Sequence, residues 1–344
     1  MRLSIVIPLY NKEKFIDRCL NSLLDQNLPP EEYEIIIVDD GSTDSSYAIA
    51  CTYAEKYSNV VAHRQKNGGA GAARNTGFEM SKGAYVYFLD ADDYIAKDTL
   101  KPIAEISEQN SLDILGFNTK HVNNTEFLPN STTENPENLT VVILDGITFI
   151  AERNFRNEAW WYIINREFLI ETGIKFTEGR FIQDSIFTAT LLLRPKRISK
   201  INFDVHRFVK VENSATTNKK QAHIVKFIDD LVYAIGRFDV LIKSLDRSDK
   251  NYQKVVKIYK SKQQSFVFTI FLKAFRCPAI RFKDLNKILI KLKELEVYPI
   301  NRKIGGIGGP KTRTLYNFTF IPVFNNKVLL YLGLKLNRLK ASVL

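Results

Sequence analysis

The chain has 344 residues, 45% of them hydrophobic, and three scattered cysteines, Cys19, Cys51 and Cys277. That length predicts two units with sizeable cores, the cysteine pattern excludes a disulfide framework or a cysteine metal site, and no uninterrupted apolar stretch is long enough to span a membrane. The net charge of +11 is uneven: residues 220–344 carry 25 Lys and Arg against 8 Asp and Glu, and residues 1–219 carry 24 against 30. The second part suits an anionic surface or polymer.

Residues 4–9 are apolar and β-branched, which predicts a buried strand leaving in a turn at Tyr10 and Asn11. A helix is expected over 12–26, where Phe15, Ile16, Cys19, Leu20, Leu23 and Leu24 recur at helical spacing; Pro29 and Pro30 stop it. A second strand over 34–38 ends in Asp39, Asp40, Gly41 and Ser42, and Ser42 or Thr43 is expected to cap a helix reaching about Tyr57. A third strand, 60–64, runs into the Gly-rich stretch 67–71, with a helix to about Lys82. The fourth, 85–89, ends in Asp90, Asp92 and Asp93.

Nearly all-apolar strands alternating with helices predict an α/β fold with a mostly parallel sheet covered on both faces. Such a sheet binds its ligand beyond the carboxyl ends of its strands, where these polar residues converge. Three carboxylates in four residues repel one another, so a hard divalent cation that also holds phosphate oxygens is the candidate partner; an Asp-rich turn is the alternative. Asp39 suits a pyrimidine ring N–H or a ribose hydroxyl. Glycines before a helix can admit phosphates, though tight packing explains them equally well.

Further on, a helix is expected over 98–110 and a strand over 114–118. An exposed Asn- and Thr-rich loop follows over 123–138, then helical segments at 146–155, 166–172 and 188–193. From about Gln221 the pattern is all helical: 224–238 and 252–275 are long segments, 283–295 is basic and amphipathic, and 315–339 mixes aromatics, Leu and basic residues.

The ordered motifs Ile5 to Asn11, Val38 to Asp44, Asn67 to Gly77 and Asp90 to Asp93 resemble the family 2 glycosyltransferases of the GT-A fold. The resemblance implies a metal-dependent, inverting transfer of a sugar from a nucleoside diphosphate to a hydroxyl. UDP-linked sugars are the first choice of donor, and GDP and dTDP remain open. It also implies a GT-A domain over 1–219, with a donor half at about 1–118 and an acceptor half at about 119–219, then a basic helical region over 220–344. Pro8, Tyr10, Asp39 and Arg74 match nucleoside-contacting positions, with Asn67, Gly68 and Asp90 also on the donor side. Asp90 and Asp92 match the Asp-X-Asp motif, in which the second carboxylate holds Mg2+ or Mn2+ against the diphosphate; Asp93 is a further candidate ligand. Residues 176–187 resemble the acceptor-side segment, which makes Asp184 the base. The usual acidic neighbour is replaced by Gln183, a change expected to lower the pKa of Asp184 or alter acceptor contacts. Trp160 or Trp161 is expected to stack on acceptor sugar. His206 and Arg207, with the stretch 213–216, match a closing segment that reaches the diphosphate.

The implied acceptor is a glycan or lipid-linked chain of a bacterial surface polysaccharide. The basic helical region suits the inner face of an anionic membrane or an oligomer contact, and nucleic acid is not expected because no reader motif accompanies the charge. The start of the chain has no signal-peptide pattern, which with the cysteines points to a reducing, cytoplasmic setting. A catalytically silent nucleotide-sugar or glycan binding protein on the same scaffold is the alternative, and Gln183 is its one support.

Overall fold

A computed structural model describes residues 1–134, 138–153, 155–211, 218–301 and 316–341. The chain divides into two compact units, Met1–Glu212 and Asn213–Leu344.

The first unit contains strands β1 (Leu3–Leu9), β2 (Tyr33–Asp39), β3 (Val60–Arg64), β4 (Tyr85–Phe88), β5 (Tyr94–Ile95), β6 (Ile114–Asn123), β7 (Tyr162–Asn165) and β8 (Ile198–Lys210). Its helices are α1 (Ile16–Leu24), α2 (Ser46–Lys56), α3 (Ala70–Met80), α4 (Leu100–Gln109), α5 (Gly146–Glu152), α6 (Arg166–Thr172) and α7 (Gln183–Leu191). The strands form one sheet in the order β3-β2-β1-β4-β7-β6-β8-β5. Strands β3, β2, β1 and β4 are parallel, β7 runs antiparallel to both β4 and β6, and β8 pairs parallel with β6 and antiparallel with β5.

Alternation along the strands divides the core. Ile5, Ile7, Ile35, Ile37, Tyr85 and Tyr87 share one cluster with Ile16, Cys19, Leu20 and Leu23 of α1 and Leu100 and Ile103 of α4. Each such side chain contributes about 1.5–3 kcal/mol through burial. On the other face α3 lies so close that a Cβ on Gly77 would come within 2.3 Å of Val6 Cγ1. The parallel half leaves its strand ends, Leu9, Asp39 and Arg64, side by side.

Two helices begin later than their periodicity predicts, for one shared reason. Ser42 Oγ accepts from Asn11 N–H (3.0 Å), Ser46 Oγ from Lys12 N–H (2.7 Å) and Asp44 from Glu13 N–H (3.2 Å). These side chains clasp the turn after β1, so Ser42 does not cap α2 and residues 12–15 precede α1. Strands β5, β7 and β8 lie outside the segments whose apolar pattern predicts a strand. The aromatic run before β7 resembles a helix face in composition, and β8 interrupts its apolar residues with charged ones.

The second unit is helical among its described residues: α8 (Gln221–Lys243), α9 (Tyr252–Phe275), α10 (Phe282–Glu294), α11 (Ile321–Asn325) and α12 (Lys327–Ala341). Phe238 of α8 packs against Tyr259 and Phe266 of α9, with ring centroids 5.4 and 5.6 Å apart, and Phe324 of α11 stacks on Phe271 at 4.8 Å.

Candidate active site

The site is assembled from the carboxyl ends of β1, β2 and β4, the N-terminal half of α3 and the start of α7. At the end of β2, Asp40 turns into the fold. Its carboxylate accepts from Gly68 N–H (2.8 Å), Gly69 N–H (2.7 Å) and Gln65 (2.8 Å). Gly68 O accepts in turn from Gly179 N–H at 3.0 Å. Both backbone groups of Gly68 are therefore engaged inside the protein, in keeping with the packing role that the Gly-rich stretch also allowed. Asn67 is exposed, with its amide nitrogen donating to Asp40 O at 2.8 Å.

Helix α3 fixes the segment that leads to α7. A Cβ on Gly71 would meet Thr177 O at 2.7 Å, so only glycine permits this approach. Asn75 exchanges hydrogen bonds with the backbone of Phe176 at 2.9 and 3.0 Å. Phe176 then stacks on Phe187 of α7, with ring centroids 3.7 Å apart. These contacts join the two distant sequence segments that carry Arg74 and Asp184.

Arg74 is 5% exposed, donates to Asp90 and lies over the Phe176 ring at 5.4 Å. Its Nε and Nη1 are buried without a hydrogen-bond partner, a costly state for a guanidinium and one that an added acceptor would relieve. Asp184 lies half-buried in the first turn of α7. Burial pushes its pKa up to about 7, Arg74 opposes the rise, and Glu158 and Asp90 add to it. Desolvation thus dominates the electrostatics of Asp184, whose neighbour in the helix is the neutral Gln183.

Asp90, Asp92 and Asp93 offer carboxylate oxygens within 4.8 Å of one another, a donor set able to hold a divalent cation. The three differ in surroundings. Asp90 pairs with Arg74 and Asp92 with Lys12, both half-buried on the open side. Asp93 is 1% exposed, accepts from Val209 N–H of β8 at 2.7 Å and lies 3.2 Å from His206 Nε2. Burial, then the charges of Asp92 and Asp90, raise its pKa, while burial and Arg207 lower that of His206.

The other predicted residues differ in exposure. Asp39 is fully buried, accepts from Ser42 N–H and pairs with Arg64 at 3.2 Å. Pro8 is half-buried and Tyr10 is 47% exposed, both at the open end of β1. His206 is fully buried and stacks on Trp160 at 4.5 Å. Arg207 is also fully buried, its guanidinium filled by Asp204 (2.6 and 3.1 Å) and the carbonyls of Leu128 and Asn130. Neither is presented to a diphosphate, because the two point to opposite faces of β8 and both faces are packed there. Trp160 and Trp161 are 4% and 1% exposed, so both are core residues rather than stacking platforms for sugar. Gln183 is buried, with Oε1 lacking a hydrogen-bond partner. The stretch 213–216 lies outside the described residues.

Lys12, Arg64 and Glu158 enter the site without having been foreseen. Lys12 and Arg64 sit at strand ends, a positional signal that flanking carboxylates obscured. Glu158 carried no motif.

A mixed sheet with a Gly-rich helix start and an acidic loop at one rim defines a GT-A-type nucleotide-sugar scaffold. Residues 4–188 match glycosyl transferase family 2, and the chain belongs to that family. It is 32% identical over 216 residues to the uncharacterized glycosyltransferase EpsJ of Bacillus subtilis, covering 62% of each chain. It is likewise 32% identical over 246 residues to a poly(ribitol-phosphate) β-glucosyltransferase of Bacillus spizizenii, covering 70% of this chain but 38% of that one. The chain thus spans less than two thirds of the length of these relatives. Staphylococcus aureus TarS 1–349, solved in complex with UDP, shares the fold with a TM-score of 0.64 at 21% identity, over 100% of this chain and 92% of that one.

Proposed function

We propose that this chain transfers a hexosyl or N-acetylhexosaminyl group, with inversion, from a nucleoside-diphosphate sugar to a hydroxyl of a glycan or lipid-linked acceptor in surface-polysaccharide synthesis. The observation that carries the reading is Asp184: a carboxylate whose pKa lies about 7 beside a buried, partly unsatisfied Arg74 suits proton removal near neutral pH. In this reading a donor half at about 1–118 and an acceptor half at about 119–219 precede the basic region over 220–344, while the chain's two compact units divide slightly earlier, between Glu212 and Asn213. Pro8, Tyr10, Asp39 and Asn67 lie along the nucleoside edge, and Arg74 faces the diphosphate. The complex of TarS with UDP favours a uridine donor.

Asp90 and Asp92, with Asp93 bracing the loop from behind, would hold Mg2+ or Mn2+, which when bound offsets the charge on the departing diphosphate. Lys12 holds Asp92 in place and Arg74 holds Asp90. Thermal-shift titration with UDP is expected to stabilise the chain only when Mn2+ or Mg2+ is also present, by about 2.7 kcal/mol at a hundredfold excess over Kd. Equal stabilisation by unrelated nucleotides without metal would refute the donor assignment.

No helix among the described residues is long and apolar enough to cross a membrane. Helix α12 nevertheless exposes Val328 (65%), Leu332 (46%) and Leu336 (61%) in a region of net charge +17. That combination supports a peripheral position on the inner, anionic face of the cell membrane.

A further inference from the structure

A second polar site lies in the first unit. Between β6, β8 and residues 155–160 is a cavity of about 630 Å³, lined by Asn118, Thr119, Lys120, Arg156, Lys200 and Asn202, with Asp204 and Glu134 also on its wall. It opens where the pairing of β6 with β8 slips, between Gly116 and Thr119. An irregular ladder splays neighbouring side chains and re-aims polar groups.

The cavity's charge is unbalanced. Asp204 is occupied by Arg207 and by the N–H and hydroxyl of Thr132, at 2.9 and 2.8 Å, and Lys120 reaches it at 3.4 Å. The exposed Glu134 is the other carboxylate of the lining. Arg156 contacts His121 Nε2 at 2.9 Å, and Lys200 has no ion pair among the described residues. Partial burial, with the Arg156 and Arg153 charges, lowers the pKa of Lys200, and burial followed by Arg156 lowers that of His121. Thr119 Oγ1 is buried without a partner.

We propose that this cavity binds a phosphate group carried by the acceptor, so that the site selects an anionic chain over a neutral glycan. Three cations with amide and hydroxyl donors between them match the several free oxygens of a phosphate ester better than the two of a carboxylate. The link to the acceptor rests on the proposed transfer and on chain geometry. Arg156 lies two residues from Glu158, whose charge acts on Asp184, and its guanidinium lies over Trp160 at 5.3 Å. An acceptor anchored here would extend along residues 156–158 towards Asp184.

Both tryptophans of the chain report on the cavity, Trp160 under Arg156 and Trp161 under Lys200 at 5.7 Å. Titrating the full chain with sodium phosphate is expected to give a saturable fluorescence change beyond that of sodium chloride at equal ionic strength. Arg156→Gln and Lys200→Gln raise its midpoint about tenfold each. Thr119→Val removes one hydroxyl at constant shape and raises the midpoint about threefold, which keeps the test decisive if a charge variant does not fold. A response no larger than that of chloride, midpoints unchanged in every folded variant, or glucuronate binding as tightly as phosphate overturns the proposal. Donor turnover measured on the same preparation separates the two readings: its loss with phosphate binding intact removes the transferase assignment and leaves the anion site standing.

Discussion

At Asp184 stability and chemistry pull in opposite directions. Its pKa is raised in the fold from an ordinary carboxylate value to about 7, so the native state holds this proton more tightly than the unfolded chain. The stabilisation from that proton is complete below about pH 4 and is lost as pH rises through 7. Asp184→Asn is therefore expected to stabilise the protein at pH 8 by roughly 2–3 kcal/mol after allowing for its partial exposure, read as a higher Tm. The same change should lower transfer about 10²–10⁴-fold, and wild-type kcat/KM should rise with pH through an apparent pKa near 7. Wild-type rates that stay flat between pH 5 and 9, or a variant that retains full turnover, remove Asp184 as the base. Arg74→Gln leaves Asp90 without its counter-charge and should weaken UDP binding about tenfold or more in a direct titration. Asp90, Asp92, Arg74 and Asp184 stand out in the sequence because short motifs mark them, and the structure brings Arg74 against Asp90. The environments of Arg207, Trp160 and Trp161 could not, since burial depends on which face of an unpredicted strand they occupy.

At the scale of elements, α3 is the brace that lets segments about a hundred residues apart meet. Gly71→Ala would drive a Cβ into Thr177 O and push the 176–179 segment off the helix. An overpacking cost of about 1–3 kcal/mol is expected in a urea melt, together with loss of activity from displacement of Asp184 relative to Arg74. Unchanged stability would mean that the approach relaxes freely and that α3 does not set the geometry. Strands β1, β2 and β4 were legible because each carries a dense apolar stretch, and β3 because its valines precede the Gly-rich turn. Strand β8 was not: Lys200, Asp204, His206 and Arg207 break its hydrophobic pattern, and the β6–β8 slip breaks its period as well. The late starts of α1 and α2 were hidden for another reason, because Ser42, Ser46 and Asp44 also bond across to residues 11–13.

Across the whole molecule, charge separates by region, with −6 before residue 220 and +17 from it onward. If the exposed row on α12 meets lipid, the full chain should sediment with vesicles containing phosphatidylglycerol but not with pure phosphatidylcholine vesicles, and salt should release it. Replacing Leu332 and Leu336 with Glu should abolish sedimentation without changing the Tm by more than a few degrees; vesicle binding that survives both salt and these changes would point to another surface. The basic composition made this region visible, but composition does not say which of its apolar residues find partners. The Gly-rich turn carries its own counter-anion. Its amide donors, which in other nucleotide-binding folds receive phosphate, are held here by Asp40, an anion supplied by the chain itself. Those two amides are thereby closed to a donor phosphate, and the shape of the turn is set by the chain's own carboxylate rather than by a ligand.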